Sequence, residues 1–302
     1  MPDENIKIPA PLKNLTPIAF VLIALAAVFI TYQIFGGILS FFVLKGDLSG
    51  TSPANITLTR IIVSFSQFMF ILAPVILLNM LRGDEFVQGF KFRKPKISYI
   101  ALSFIGIVAV QPVLQYILIL QNKILFSLPF GQEFLNSLKS LYDYFESFTS
   151  KLVVSSNTGE FTFVVFVIAL TPAICEEFMF RGLILSNLQK LGGVKIPVIF
   201  TGLLFAIFHF HPFNLIPLII LGIFISYIAF YSNSIIPAVM VHFLNNFMSA
   251  LAVYLTGTDS FDDKAVSWSE LLKYTPLAVI SLVIFIFVLI FVKKIYEQGK
   301  NE

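Results

Sequence analysis

Glu176 and Glu177 stand side by side in TPAICEEFMFRG, inside a run that is otherwise apolar. Arg181 follows Glu177 by four residues, the acid-first order that favours an ion pair along one helix face. Glu176 lies about 100° away around the helix. It has no cation in its own turn and is the carboxylate left free for acid–base work. The chain has three histidines. His209 lies in FAIFHF, and His211 follows it on the other side of the helix, beside Pro212. His242 begins HFLNN, with Asn246 one turn later on the same face. Asn245 points roughly 100° off that face, which makes Asn246 the expected partner of His242.

These groups support three chemistries. In the first, Glu176 and His209 activate a water molecule as general base, while His242 and Asn246 donate to the oxyanion of an attacked carbonyl. In the second, Glu176, His209 and His242 bind a zinc ion whose fourth position carries the water. In the third no bond is cut, and the groups relay protons or bind a transported substrate. There is no HExxH helix, and no Ser or Cys nucleophile stands beside a histidine. Taken singly, each residue has a plainer reading. A His or Asn in a membrane helix is commonly interhelical glue, the Glu177–Arg181 pair holds its helix, Cys175 is a small buried hydrophobe, and His211 belongs to an interfacial loop. Their recurrence on three neighbouring apolar segments is what favours chemistry.

The elements that must position these residues are membrane spans. The chain is 302 residues long, 57% apolar and 12% charged, half of the roughly 25% charged residues of a soluble domain. So little polar surface could not keep a monomer of this size in water. Apolar runs predict eight helices at about 17–44, 60–81, 97–120, 161–189, 196–211, 213–231, 235–255 and 274–292. Between the third and fourth, over about 129–157, Phe134, Leu138, Leu141, Phe145 and Phe148 recur at helical spacing among charged residues, the pattern of an amphipathic helix at the interface or of a packed extramembrane helix. Leu191-Gly192-Gly193 reads as a helix stop, and Pro172 as a kink. The loop holding Arg82, Lys91, Arg93, Lys94 and Lys96 argues for both termini in the cytoplasm. The fold expected is therefore all-α and polytopic. An N-terminal three-span region with the amphipathic segment covers about 1–160, a core of four spans about 161–255, and a loop with the last span about 256–302.

The net charge of +3 is spread along the chain with no basic stripe among aromatics, which excludes a nucleic-acid surface. The single Cys175 excludes an intrachain disulfide and a multi-cysteine metal site. The span ruler carries one tension. At ~1.5 Å per residue, straight spans leave Glu176 in the cytoplasmic half and His209 nearer the outside, about a dozen ångströms apart in depth.

Glu176-Glu177-Phe-Met-Phe-Arg181, Phe205-Ala-Ile-Phe-His209 and His242-Phe-Leu-Asn-Asn246 resemble the EExxxR, FxxxH and HxxxN motifs of the CAAX-protease and bacteriocin-processing (CPBP) family. That family is also called Abi and includes the type II CAAX prenyl endopeptidases. The resemblance covers about residues 161–255. It implies an eight-helix intramembrane endopeptidase with its site in a water-filled cavity. Glu176 corresponds to the water-activating glutamate, His209 to its partner, and His242 and Asn246 to the oxyanion-binding pair. Glu177, Arg181 and Phe205 are then supporting residues. Family members have been described both as metal-dependent and as glutamate-type, so zinc on Glu176, His209 and His242 stays an open expectation. The partners implied are the lipid bilayer and a membrane-anchored or lipidated protein or peptide, in the inner membrane if the host is bacterial. The same fold also serves as a non-catalytic scaffold or a bacteriocin-immunity or signalling factor. A transporter is the weakest reading, since no internal repeat is evident.

Overall fold

The computed structural model describes residues 10–46, 53–257 and 266–300. The described residues are helices and short connections, with no strand. Helices α1 (Pro17–Val43), α2 (Asn55–Arg82), α3 (Ile97–Ser127) and α4 (Gln132–Val153) precede the region of the motifs. That region comprises α5 (Thr158–Leu191), α6 (Lys195–Phe208), α7 (Pro212–Ser232) and α8 (Ile236–Thr256). The helix α9 (Trp268–Gln298) follows. Seven of these, all but α4 and α6, are long and apolar enough to cross a membrane, and the protein is a multi-pass, all-α membrane protein. The eighth expected span is the exception. At 14 residues, α6 is only ~21 Å long, short of the ~30 Å hydrocarbon core.

Local sequence sets the breaks. Gly192 and Gly193 take φ of +88° and +71°, a left-handed conformation open to glycine at little cost, and they reverse the chain between α5 and α6. Pro237 sits in the first turn of α8, where its missing amide costs no hydrogen bond. Within α5, a π-helical stretch at Val165–Leu170 precedes the turn that contains Pro172, and another at Phe178–Ile184 follows Glu177. Wide turns of this kind are where helices give way around a functional or packing feature. The amphipathic segment forms α4, which leaves Phe134 and Leu141 exposed.

Contacts at one end of the bundle bring both described termini to the 82–96 loop. Leu12 donates its amide to the Leu81 carbonyl, and Arg82 donates to the carbonyls of Leu12 and Leu15. The Lys96 ammonium lies close to Gly299. Lys91 adopts φ of +53°, its carbonyl accepts the Ile235 amide that opens α8, and its ammonium donates to Gln189 at the end of α5. Burial, with help from Arg93, pulls that ammonium down to about 8. Ser234 donates to the Arg93 carbonyl. The α6–α7 hairpin therefore leaves this end and returns to it.

Arg60 is the first residue of the second expected span, about 60–81. It lies inside α2 and is 1% exposed. It pairs with Glu160 at 2.7 Å and donates to the carbonyls of Leu152 and Val154. A guanidinium with five donors can close two helix ends at once. Here it ties the end of α4 and the start of α5 to α2.

Candidate active site

Arg181 is the anchor from which the site is built. It is fully buried, as is Glu177, and the two pair at 2.6 Å. The guanidinium also donates to the Gly222 carbonyl at 2.9 Å and the Ser226 hydroxyl at 3.3 Å on α7, so α5 is locked to the hairpin. The close approach of α6 and α7 needs glycine on both sides. A Cβ at Gly202 would stand 2.5 Å from the Ile223 amide nitrogen, and one at Gly222 would stand 2.7 Å from the Gly202 carbonyl oxygen.

Glu177 does more than the sequence assigned to it. Its Oε1 also accepts from His242 Nδ1 at 2.8 Å. A histidine that gives its Nδ1 proton to a carboxylate keeps Nε2 for the other side. The expected His242–Asn246 partnership is not what the described contacts contain. Asn246 Nδ2 donates to the Ile168 carbonyl at 3.3 Å, and its Oδ1 accepts from Asn245 at 3.1 Å. The shared helix face of His242 and Asn246 holds, but each is oriented by a different neighbour.

Phe205 is the wall between the charges. Its ring lies 4.6 Å from the Arg181 guanidinium carbon, 4.3 Å from the His209 ring centroid and 5.7 Å from that of His242. Its carbonyl bonds His209 Nδ1 at 2.6 Å. A carbonyl can only accept, so His209 carries its proton on Nδ1 and presents Nε2 outward. His209 caps the C-terminal end of α6, and Phe210 turns the chain away at φ of +50°.

His209 Nε2 faces Glu176 Oε2 at 3.5 Å. This removes the depth conflict. α5 runs 34 residues and overshoots, and it is joined to α6 by a tight turn. Counted from that turn, Glu176 lies fifteen residues up α5 from Leu191 and His209 fourteen up α6 from Lys195, ~22 and ~21 Å. The ruler misled because it gave a long and a short helix the same thickness to cross.

Glu176 Oε2 is buried and accepts no hydrogen bond from the described residues, while the side chain as a whole keeps 18% exposure and His209 29%. His209 lines a cavity of about 950 Å³, mostly apolar, together with Phe29, Gln33, Tyr142, Ile168 and Val253. His211 is also on its wall and bonds the Tyr142 hydroxyl of α4. Cys175 is fully buried.

The donor set expected for zinc is not assembled. Among the described residues no three His, Cys, Asp or Glu side chains converge as a metal site would require. Glu176 and His209 face one another, whereas the Nδ1 of His242 is committed to Glu177.

The sequence reading missed Gln111 on α3, whose Nε2 donates to Asn245 Oδ1 at 2.9 Å, and it set Asn245 aside. A carboxamide beside Pro112, with Gln115 one turn further along the same span, was the available signal.

Fold and site together define a multi-pass membrane protein with a carboxylate–imidazole pair whose histidine lines a mostly apolar cavity. Residues 158–248 match the family model Rce1-like, described as type II CAAX prenyl endopeptidase Rce1-like. This is the family to which the three motifs pointed, and the matched segment contains all of them. No curated protein and no solved structure matches the chain.

Proposed function

We propose that this protein is a CAAX-type intramembrane endopeptidase in which Glu176 and His209 activate the hydrolytic water. The observation that carries the reading is the facing pair Glu176 Oε2 and His209 Nε2 at 3.5 Å. In the neutral imidazole whose Nδ1 proton goes to the Phe205 carbonyl, Nε2 is an acceptor, as is the carboxylate. Two acceptors at this distance are reconciled by a donor placed between them. A water molecule giving one hydrogen to each is oriented with its oxygen lone pairs outward, toward a carbonyl in the cavity.

Attack transfers the water proton to the Glu176–His209 pair and leaves negative charge on the carbonyl oxygen. His242, oriented through Nδ1 by Glu177, directs Nε2 at that oxygen, and Asn246 donates its remaining N–H. Collapse of the tetrahedral intermediate breaks the C–N bond, and the stored proton goes to the departing amine. Glu177 and Arg181 act by orientation. The apolar cavity suits an amphiphilic substrate, a peptide end carried by a lipid or a membrane segment. The positive 82–96 loop, and both termini with it, face the cytoplasm.

The test compares protein C-termini in membranes holding wild-type protein or Glu176→Ala. C-terminally shortened proteins that appear only with wild type support the reading. Identical C-termini, with the Glu176→Ala phenotype retained, would assign the site to binding.

A further inference from the structure

We propose that Gln111 and Asn245 are positioning residues for Asn246, forming a directed chain of amides that fixes which end of its carboxamide meets the substrate. The proposal rests on the protease reading above. The chain begins on α3 and ends on α5. Gln111 Nε2 donates to Asn245 Oδ1 at 2.9 Å, Asn245 Nδ2 donates to Asn246 Oδ1 at 3.1 Å, and Asn246 Nδ2 donates to the Ile168 carbonyl at 3.3 Å.

Every link runs in the same sense. A carboxamide can swap its two ends by a half-turn, and in isolation the two orientations cost little to exchange. Here a half-turn of Asn246 sets its oxygen against the Ile168 oxygen and its N–H against the Asn245 N–H. A half-turn of Asn245 sets N–H against the Gln111 N–H. The orientation of Asn246 is therefore decided from both sides. Its oxygen is occupied, one N–H is occupied, and the group left over is an N–H. That is a donor, as an oxyanion requires. Accepting a bond at the oxygen also polarises the amide and strengthens that donor.

The placement fits the use. Ile168 lines the cavity, and so do Ser249 and Ala250 on α8, so Asn246, bonded to the Ile168 carbonyl, lies about one turn from lining residues of its own helix. Neighbouring side chains on a helix diverge by about 100°, so Asn245 and Asn246 meet only when both amides turn toward each other. Gln111 supplies the reason for Asn245 to turn: its N–H takes the Asn245 oxygen and leaves the Asn245 nitrogen for Asn246. Burying an amide in an apolar helix is costly without a bond, and Gln111 finds its bond in this chain.

The test uses the purified full chain in nanodiscs and a quenched fluorescent peptide ending in a farnesylated cysteine and three further residues. Gln111→Leu and Asn245→Asp are measured beside Asn246→Ala, with thermal unfolding of each. Asn245→Asp keeps the shape and the acceptor for Gln111 but has no N–H for Asn246, so it retains the fold if Gln111→Leu does not. The expected result is kcat lowered about 10- to 100-fold with KM unchanged, the scale of a misoriented group. Asn246→Ala loses ~10²–10³, the loss of one oxyanion donor. Adding Gln111→Leu or Asn245→Asp to Asn246→Ala lowers kcat no further. Wild-type kcat in Asn245→Asp, or losses that multiply in the double variants, overturns the relay while leaving the protease reading standing. Equal peptide cleavage by wild type and Glu176→Ala, or none by either, overturns the protease reading itself.

Discussion

Glu177 Oε1 accepts two donors at once, His242 Nδ1 at 2.8 Å and Arg181 Nη1 at 2.6 Å. One carboxylate oxygen thus neutralises the buried arginine and sets the tautomer of an imidazole at the site. The motif EExxxR is a division of labour: the second glutamate and the arginine are sequestered, and the first glutamate is left beside the cavity.

Breaking that pair should be costly in a particular way. Glu177→Ala leaves a fully buried guanidinium without its counter-charge, a loss of about 3–5 kcal/mol by the usual cost of an unpaired buried ion. Replacing both partners, Glu177→Met with Arg181→Met, removes the stranded charge and should recover much of the stability, less the bonds from Arg181 to Gly222 and Ser226. Activity should not return with it, because His242 has lost the group that orients Nδ1. Unfolding in detergent, read beside peptide cleavage, checks both halves. A double variant as active as wild type would remove Glu177 from the positioning of His242.

The α6–α7 contact makes a sharper packing prediction. Gly202→Ala drives a methyl into the Ile223 backbone, and backbone cannot rotate away as a side chain end can. The helices must separate, which moves His209 on the end of α6 away from Glu176. Overpacking of this kind costs about 1–3 kcal/mol, and the shift should lower kcat by more than stability alone explains. Gly37→Ala is the control, since a Cβ there meets nothing within 4 Å. It should leave both unfolding temperature and activity near wild type.

Much of this arrangement was legible in residue order, and the parts that were not have physical causes. The class and the helices follow from apolar runs, which a bilayer makes nearly sufficient. The Glu177–Arg181 pair follows from i,i+4 spacing, because it is local. The meeting of Glu176 and His209 did not follow from a ruler, since it depends on α5 overshooting and α6 falling short, and span lengths vary more than bilayers do. Partners that come from other helices were the least readable. Neither His242 with Glu177 nor Gln111 with Asn245 has a fixed sequence separation. The role of Arg60 was unreadable for a related reason: the Leu152 and Val154 carbonyls and the Glu160 carboxylate that it meets lie far along the chain.

Lys91 should leave a signature in the pH dependence of stability. Its ammonium is buried against Gln189 and titrates at about 8, against about 10.4 for a free lysine. Between those values the unfolded chain binds a proton that the folded protein does not. Stability therefore rises with pH through this window, at most by ~1.4 kcal/mol per unit from this group, and the contribution is flat below about 8. Lys91→Met should flatten that part of the profile. Melting temperatures of wild type and variant at intervals from pH 7 to about 10.5 provide the check, and parallel curves would locate the titration elsewhere.

The last prediction concerns metal. A catalytic zinc requires three protein donors around one point with a fourth position for water. Glu176 and His209 provide two facing donors, and the third candidate, His242, gives Nδ1 to Glu177 and is separated from His209 by the edge of Phe205. To ligate through Nε2, His242 would have to move toward the pair while keeping its carboxylate, a displacement that Phe205, itself packed on Arg181, resists. Purified protein treated with chelator and shown metal-free by elemental analysis should therefore retain full, Glu176-dependent cleavage. Phe205→Ala gives an independent reading. Opening the wall should lower activity by misplacing both histidines and should not create zinc binding in titration calorimetry. Stoichiometric zinc in active wild-type protein, lost together with activity and restored with it, would instead mean that the three donors close around a metal and that Phe205 yields to let them.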